Sequence, residues 1–367
     1  MLDLPPPLPA PSIVTPGPRE VSYGLVAGTA PAGTRRVIIR VDARVVADRP
    51  LHGRRFSLRV DLPFGDRRLS VTAVDGSGRQ STSRVAPIYG LPRSAAPKAT
   101  GSAEDGTLAA RVRSLTRRFP GTSGVFVQDL RTGRGAAWNA RARFPAASTL
   151  KLAIALTVLR ALPDKPSAES HLHFLLRRML VDSDNASANA LEVWLAGSTS
   201  AGSARVNETM HALGLSDSEM YGGYEIERSI EASIPVRVDS QPRFGRGKYT
   251  TAWDLARLAR SVHLASGGRG ALPTLGVTAG EARYLLWLLA HVMDREKLGR
   301  FLPAPVAVLH KAGWNSTSRH DAGLVVWPGG VYVAAVMTWN SRGAGGSSDV
   351  LAGEVAAAAL KRFRSVG

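Results

Sequence analysis

The run LAIALTVL, residues 152–159, constrains the fold more than any other stretch. A helix that is apolar on nearly every side has no face to turn to water and must be enclosed by other elements. Lys151 opens this run and Ser148 stands three residues earlier. Side chains three apart on a helix share a face, with Cβ atoms ~5–6 Å from one another, so the amine can reach the hydroxyl. Burial and the positive end of the helix dipole both disfavour an ammonium there. A neutral lysine can act as general base on a serine that is otherwise a weak nucleophile. The alternative is an ordinary helix start, with Ser148 as N-cap and Lys151 on a solvated face; the apolar run argues against it, because a charge in such a place wants a reason.

The chain before this helix has a different texture. VIIRVDARVV (37–46), FSLRVDL (56–62) and RLSVTAV (68–74) alternate with period two and end at Gly, Pro or Asp, and DGSG (75–78) is a turn signal. Short strands at this spacing with no helical stretch indicate a small β-sandwich over 19–90. The pattern resembles the immunoglobulin-like accessory domains of many bacterial surface enzymes, and no catalytic constellation lies inside it. A Pro-rich lead-in (1–18) precedes it and is expected to be extended and disordered. YGLPRSAAPKATGSAEDGT (89–107) is rich in Pro, Ala, Gly and Ser and contains a linker, placed at 91–105.

From 106 to 367 helical and strand patterns are grouped. LAARVRSLTRRF (108–119) has helical spacing, and SGVFVQDL (123–130), RTGRG and AAWNA (136–140) read as a hairpin. HLHFLLRRMLVDSDNASANALEVWLAG (171–197) is a helix, a polar break and a second helix. Another helix is expected near 203–213, then a polar loop from Leu215 to about Lys248. Thr251 and Asp254 suggest a capping box for the helix that follows. A helix at about 280–293, strands at 306–314, 321–327 and 331–339, and a final helix from Asp349 to about Phe363 complete the chain. This grouping indicates an α+β domain, not a βαβ repeat.

Charge and cysteine content narrow the function classes. The net charge is +18 over 367 residues, but the arginines are scattered without basic blocks or interleaved aromatics, so nucleic acid is not the expected partner. With no cysteine there is neither a disulfide framework nor a thiolate metal site. His171 and His173, two apart on one helix, diverge, and there is no HExxH, no phosphate loop and no Gly-x-Ser-x-Gly elbow. No apolar run is long enough for a transmembrane segment, and no signal peptide is visible at the N-terminus.

Two further motifs join Ser148 and Lys151. Ser183-Asp184-Asn185 lies in the break between the two helices, and Lys311-Ala312-Gly313 lies on a strand where the glycine lets a ligand approach the backbone. Ser-x-x-Lys, Ser-Asp-Asn and Lys-Thr-Gly, in this order, form a known catalytic set. The flanks agree: FPAAS before the nucleophile, MLVDSDNASAN, TTAWDLARL, and HKAG followed by RHDAG. Over about 106–367 the chain therefore resembles the penicillin-recognising serine hydrolases, most closely the class A β-lactamases. The resemblance implies an α+β, β-lactamase/transpeptidase-like fold, no cofactor, no metal and a monomer placed outside the cytoplasm. It implies a β-lactam or cell-wall peptide as substrate, with cell-wall association through the N-terminal domain.

The roles that the resemblance carries over are these. Ser148 is the acylated nucleophile and Lys151 helps take its proton. Ser183 passes a proton to the leaving nitrogen, Asn185 holds the substrate's side-chain amide, and Lys311 attracts the substrate carboxylate. The backbone N–H groups of Ser148 and Trp314, beside Gly313, form the oxyanion hole. Three departures stand out. Ala312 replaces the usual Thr or Ser, with Arg319 as the residue that could compensate. The gap from Ser148 to Ser183 is short. The loop carries EMYGGYEIERS (219–229) without Glu-x-x-Leu-Asn, so Glu225 is the best match to the deacylating glutamate, with Glu219 and Glu227 as neighbours. The remaining readings are a D-alanyl-D-alanine peptidase or, in another class, a non-catalytic cell-wall binding protein with a degenerate hydrolase domain. His320 is expected to be structural or at the rim of the site.

Overall fold

The computed structural model describes residues 7–365, which divide between two compact units at Ala96/Pro97. In the first, the strands are β1 (Ser12–Thr15), β2 (Glu20–Ser22), β3 (Leu25–Thr29), β4 (Thr34–Val41), β5 (Arg44–Pro50), β6 (Arg55–Arg59), β7 (Gly65–Asp75) and β8 (Gln80–Gly90). They make two sheets, ordered β1-β3-β6 and β2-β8-β7-β4-β5. Alternation puts Val37, Ile39 and Val41 of β4 and Leu69, Val71 and Ala73 of β7 into one core with Val26 of β3 and Phe56 of β6. Two expectations need correction here. The stretch 37–46 is not one strand: the chain turns at Asp42, φ 53°, and β4 pairs antiparallel with β5. The lead-in is not without structure either. Ser12–Thr15 pairs with β3, while residues 1–6 fall outside the described part of the chain.

The second unit is built on a six-stranded sheet. Its chain order is β9 (Ala103–Glu104), α1 (Gly106–Arg117), β10 (Thr122–Asp129), β11 (Arg134–Trp138) and β12 (Phe144–Pro145), then a 3-10 turn at Ala147–Leu150. The helices α2 (Lys151–Arg160), α3 (His171–Val181), α4 (Asn185–Ala196) and α5 (Thr199–Ala212) follow. After a long loop come β13 (Tyr249–Thr250), α6 (Ala252–Ser266), α7 (Ala279–Ala290), β14 (Ala307–Trp314), β15 (Ser318–Trp327), β16 (Gly330–Trp339) and α8 (Gly346–Ser365). The sheet order is β14-β15-β16-β10-β11-β9, so the last three strands form a meander next to the first hairpin. Residues 103–104, expected in the linker, pair with β11 as the edge of this sheet.

Helices α1 and α8 bury Val112, Leu115, Val355, Ala359 and Phe363 against one face of the sheet, where Tyr332, Ala334 and Val336 alternate inward. Helix α6 packs on β10, β15 and β16, and α2 lies among α3, α4, α5 and α7. Every residue of α2 from Lys151 to Leu159 is buried, as the apolar run requires. Each such aliphatic side chain contributes ~1.5–3 kcal/mol. The capping box expected at α6 is not formed there. Thr251 does accept from the Asp254 N–H, but the Asp254 carboxylate turns away to accept from the Asp217 N–H and the Ser218 hydroxyl. The reciprocal box sits at Thr278 and Glu281, at the start of α7. No helix among the described residues is long and apolar enough to cross a membrane.

Candidate active site

Ser148 sits in the 3-10 turn that leads into α2. No side chain caps that turn, and Ala147 is held at φ 48°, so Ser148 is not an N-cap but a half-buried residue presented by a strained turn. Residues 144–145 are fixed from two sides. Phe144 and Pro145 pair with β13, and buried His320 on β15 contacts the Pro145 carbonyl through Nε2 at 2.8 Å. The Thr338 N–H donates to His320 Nδ1 at 3.2 Å, so Nε2 carries the proton. Burial pushes the His320 imidazole down to about 4, which makes it a neutral strut between sheet and turn.

Lys151 is fully buried. Its Nζ donates to the Ser183 carbonyl at 2.5 Å and to Asn185 Oδ1 at 2.6 Å. Burial, with the nearby charge of Lys311, lowers the amine to about 7, against opposing effects of Asp184, Glu225 and Glu192. A neutral amine has two N–H groups and one lone pair. Two neutral acceptors take the two N–H groups of such an amine and leave its lone pair unclaimed.

Ser183 owes its place to the break between α3 and α4. Asp182 ends α3, Ser183 adopts φ 61°, and the Asp184 carboxylate accepts from the Ser187 N–H at 2.7 Å to start α4. This left-handed residue turns its carbonyl to Lys151 and its hydroxyl to Lys311, whose Nζ donates to Ser183 Oγ at 2.9 Å and to the Ala312 carbonyl at 2.8 Å. Having accepted from Lys311, the Ser183 hydroxyl keeps its own proton to give. Burial lowers Lys311 to about 8 while Asp321 and Asp294 hold it up, so it is mainly an ammonium at pH 7. The strand β14 carries Lys311 past Ser148 so closely that a Cβ on Gly313 would lie 2.7 Å from the Ser148 nitrogen and 2.9 Å from that of Thr149. Only glycine fits there. Trp314 follows with its side chain 65% exposed.

Ser148, Lys151, Ser183, Asn185, Lys311 and Gly313 thus converge. Arg319 does not join them with a free side chain, because Asp349 holds its guanidinium by two bonds, Nε–Oδ1 at 2.9 Å and Nη2–Oδ2 at 2.8 Å. The loop glutamates separate. Glu219 accepts from Asn207 and lies 3.6 Å from His211, and Glu227 is tied to Thr199 and Ser200 at the start of α5. Glu225 is exposed at φ 65°, within electrostatic range of Lys151 but outside its hydrogen bonds.

The residue that covers Lys151 is Tyr224, whose ring centroid lies 4.7 Å from Lys151 Nζ and 5.1 Å from Lys248 Nζ. Asn189 grips the Tyr224 backbone at both ends: the Tyr224 N–H donates to Asn189 Oδ1 at 2.6 Å and Asn189 Nδ2 donates to the Tyr224 carbonyl at 3.0 Å. Sequence reasoning missed Tyr224, Lys248, Asn189 and Glu192. The helical period held a signal for two of them, since Asn189 and Glu192 follow Asn185 by four and seven residues on one face of α4. No group of three or more His, Asp or Glu side chains among the described residues is placed to hold a metal ion.

Solved structures share this architecture. PBP-A aligns with a TM-score of 0.59 at 20% identity, over 72% of this chain and 98% of its own. A class A beta-lactamase from Bacteroides cellulosilyticus aligns at 0.56 and 19%, over 71% and 98%, and a beta-lactamase from Sphaerobacter thermophilus at 0.54 and 21%, over 70% and 97%. At these identities the likeness concerns the fold. Among curated proteins no sequence matches the chain. The family described as "Beta-lactamase enzyme family" matches residues 107–167 and 163–363, a span that takes in each of the three motifs around Ser148. On that match the chain belongs to the beta-lactamase enzyme family, within the penicillin-recognising serine hydrolases.

Proposed function

We propose that the chain is a serine hydrolase that opens the β-lactam amide through an acyl-enzyme on Ser148. The observation that carries this reading is the convergence of Ser148, Lys151, Ser183, Asn185 and Lys311, with Lys151 fully buried and hydrogen-bonded to two neutral acceptors; burial also lowers its amine, to about 7. In the first step the Ser148 hydroxyl gives its proton to the Lys151 lone pair while its oxygen attacks the lactam carbonyl. The developing oxyanion is met by the backbone N–H groups of Ser148 and Trp314. The C–N bond then breaks, and the Ser183 hydroxyl protonates the leaving nitrogen; the proton that Lys151 took from Ser148 replaces the one that Ser183 gave, so both groups return to their starting states. Asn185 orients the substrate's amide, and the Lys311 ammonium attracts its carboxylate without help from a hydroxyl at Ala312 or from the occupied Arg319. Hydrolysis of the ester completes the cycle, with Glu225 as the loop carboxylate that activates water.

A second reading, in which the acyl-enzyme is long-lived and the natural substrate is a cell-wall peptide, is favoured by one observation. The aromatic ring of Tyr224, and no carboxylate, lies over Lys151. Among the structural neighbours, a PBP-A mutant is described as an acyl-enzyme complex with penicillin G. An extracytoplasmic location follows from either substrate, and the two-sheet N-terminal unit then serves as an immunoglobulin-like spacer or wall-binding module.

The test is labelling with a fluorescent penicillin, followed by mass mapping of the adduct. The adduct is expected on Ser148 and absent from Ser148→Ala. Label that persists in this variant, or that maps elsewhere, contradicts the proposal. The lifetime of the adduct separates the two readings: short, and lengthened by Glu225→Gln, for the lactamase; long, and unchanged by that variant, for the peptidase.

A further inference from the structure

Behind Tyr224 lies a buried group that the proposed mechanism does not use. Glu192 on α4 is fully buried, and the crossing that buries it is tight. A Cβ on Gly202 of α5 would fall 2.3 Å from the Glu192 carbonyl oxygen, so this helix contact admits only glycine. One carboxyl oxygen, Oε1, lies 3.0 Å from the Ser203 hydroxyl, and Oε2 has no hydrogen-bond partner among the described residues. The Ser203 hydroxyl lies also 2.9 Å from the Gly222 carbonyl, in the loop that carries Tyr224.

These contacts fix a proton by counting. The Gly222 carbonyl can only accept, so the single Ser203 proton goes to it. A carboxylate at Oε1 would then meet a lone pair, whereas a carboxylic acid donates its own proton to Ser203. The resulting chain runs from the Glu192 O–H to the Ser203 oxygen and from the Ser203 O–H to the Gly222 carbonyl. The bare Oε2 agrees, because an unpartnered buried carbonyl oxygen costs much less than an unpartnered carboxylate.

We infer that Glu192, as a protonated acid, is a positioning residue for Lys151: through Ser203 it holds the Gly222–Tyr224 segment in place, and by staying uncharged it leaves the Lys151 amine free to act as base. This rests on the acylation reading above. Burial independently raises the Glu192 carboxyl to about 8, a shift opposed by Ser203 and by the charge of Lys248. The groups that act on it are Lys151 on α2, Lys248 before β13 and Glu227 in the loop. On the neighbouring helices Arg178 of α3 meets both Asp182 and Asp184, Arg205 of α5 meets Glu208, and Arg177 of α3 is exposed. When Glu192 ionises, the new negative charge moves the deprotonation of Lys151 to higher pH, and the fall in activity comes from loss of the proton donor that anchors the loop. Acylation therefore rises with pH as Lys151 deprotonates and falls again as Glu192 ionises.

The experiment is the pH profile of Ser148 acylation by an activated ester that carries no carboxylate, so that loss of charge on Lys311 does not enter. The wild type is expected to lose activity above pH ~8, at up to tenfold per pH unit. Glu192→Gln keeps a donor for Ser203 but cannot ionise, so it should retain neutral-pH activity and lose the alkaline fall. Glu192→Leu should lower the rate at every pH. A wild-type profile that stays flat from pH 8 to 10 overturns the inference whether or not the variants fold. So does a Glu192→Gln variant that keeps the alkaline fall, or one that is as slow as Glu192→Leu. Failure to acylate Ser148 in the wild type would instead refute the parent reading.

Discussion

The helical side and the sheet side of the site each bury a lysine, and burial lowers both amines, but the groups that each one touches differ. On the helical wall Lys151 has a carbonyl, an amide oxygen and an aromatic ring for company, and its amine falls to about 7. On the sheet wall Lys311 is equally buried and its amine falls to about 8, with Asp321 and Asp294 opposing the shift. Behind it the sheet wall continues as a polar cluster: Asp294 pairs with Lys297, Asp321 lies 2.6 Å from His310 Nδ1, and Asp349 pairs with Arg319. Burial alone therefore does not decide what a lysine does. Direct contacts distinguish the two: Lys151 donates to the Ser183 carbonyl and Asn185 Oδ1, Lys311 to the Ser183 hydroxyl and the Ala312 carbonyl, and the two settings suit a base and an electrostatic anchor, respectively.

The sharpest way to break this division is Lys151→Ala. Loss of a general base should slow acylation by about 10²–10⁴-fold towards every acyl substrate, measured by stopped-flow labelling. Lys311→Ala should weaken a carboxylate-bearing β-lactam by about 10–100-fold, the worth of a charge-assisted contact, and spare a carboxylate-free ester. If both variants lose the ester reaction equally, the walls do not differ in role. Arg319→Ala tests whether the ionic cluster is structural. Thermal or urea unfolding should show a loss of about 1–3 kcal/mol, because Asp349 is left buried beside a poorer partner, with acylation of the folded protein unchanged. The smallest effect concerns neither wall directly. Thr278→Ala removes the cap of α7, which supports the helical wall, and should cost about 1 kcal/mol with no change in activity.

Legibility in the sequence follows the range of the forces involved. The α2 helix, the α3–α4 break and the terminal meander were readable because period, breaks and short motifs are local properties. The hairpin at Asp42 was hidden, since VIIRVDARVV keeps its apolar alternation through a turn that uses no glycine. The capping box was misplaced because Thr-x-x-Asp and Thr-x-x-Glu look alike, while the Asp254 carboxylate is claimed by the distant Ser218. The site divides along the same line. Ser148, Lys151, Ser183, Asn185 and Lys311 are marked by spacing. The cover over Lys151 is a tertiary fact: Tyr224 and not Glu225 faces it because Asn189, thirty-five residues earlier, grips the Tyr224 backbone. Nor could the sequence reveal that Asp349 occupies Arg319.

Lys151 is the base of this site only if it accepts the proton that Ser148 gives up. The direct measurement is the rate of Ser148 acylation as a function of pH on the acid side, in wild type and Lys151→Ala. A base lowered to about 7 predicts a half-rise near that pH in the wild type, and its disappearance in the variant. A half-rise near pH ~4 would instead assign the base to a carboxylate, and one near ~10 would mean an ordinary lysine; either result would contradict the reading of the helical wall.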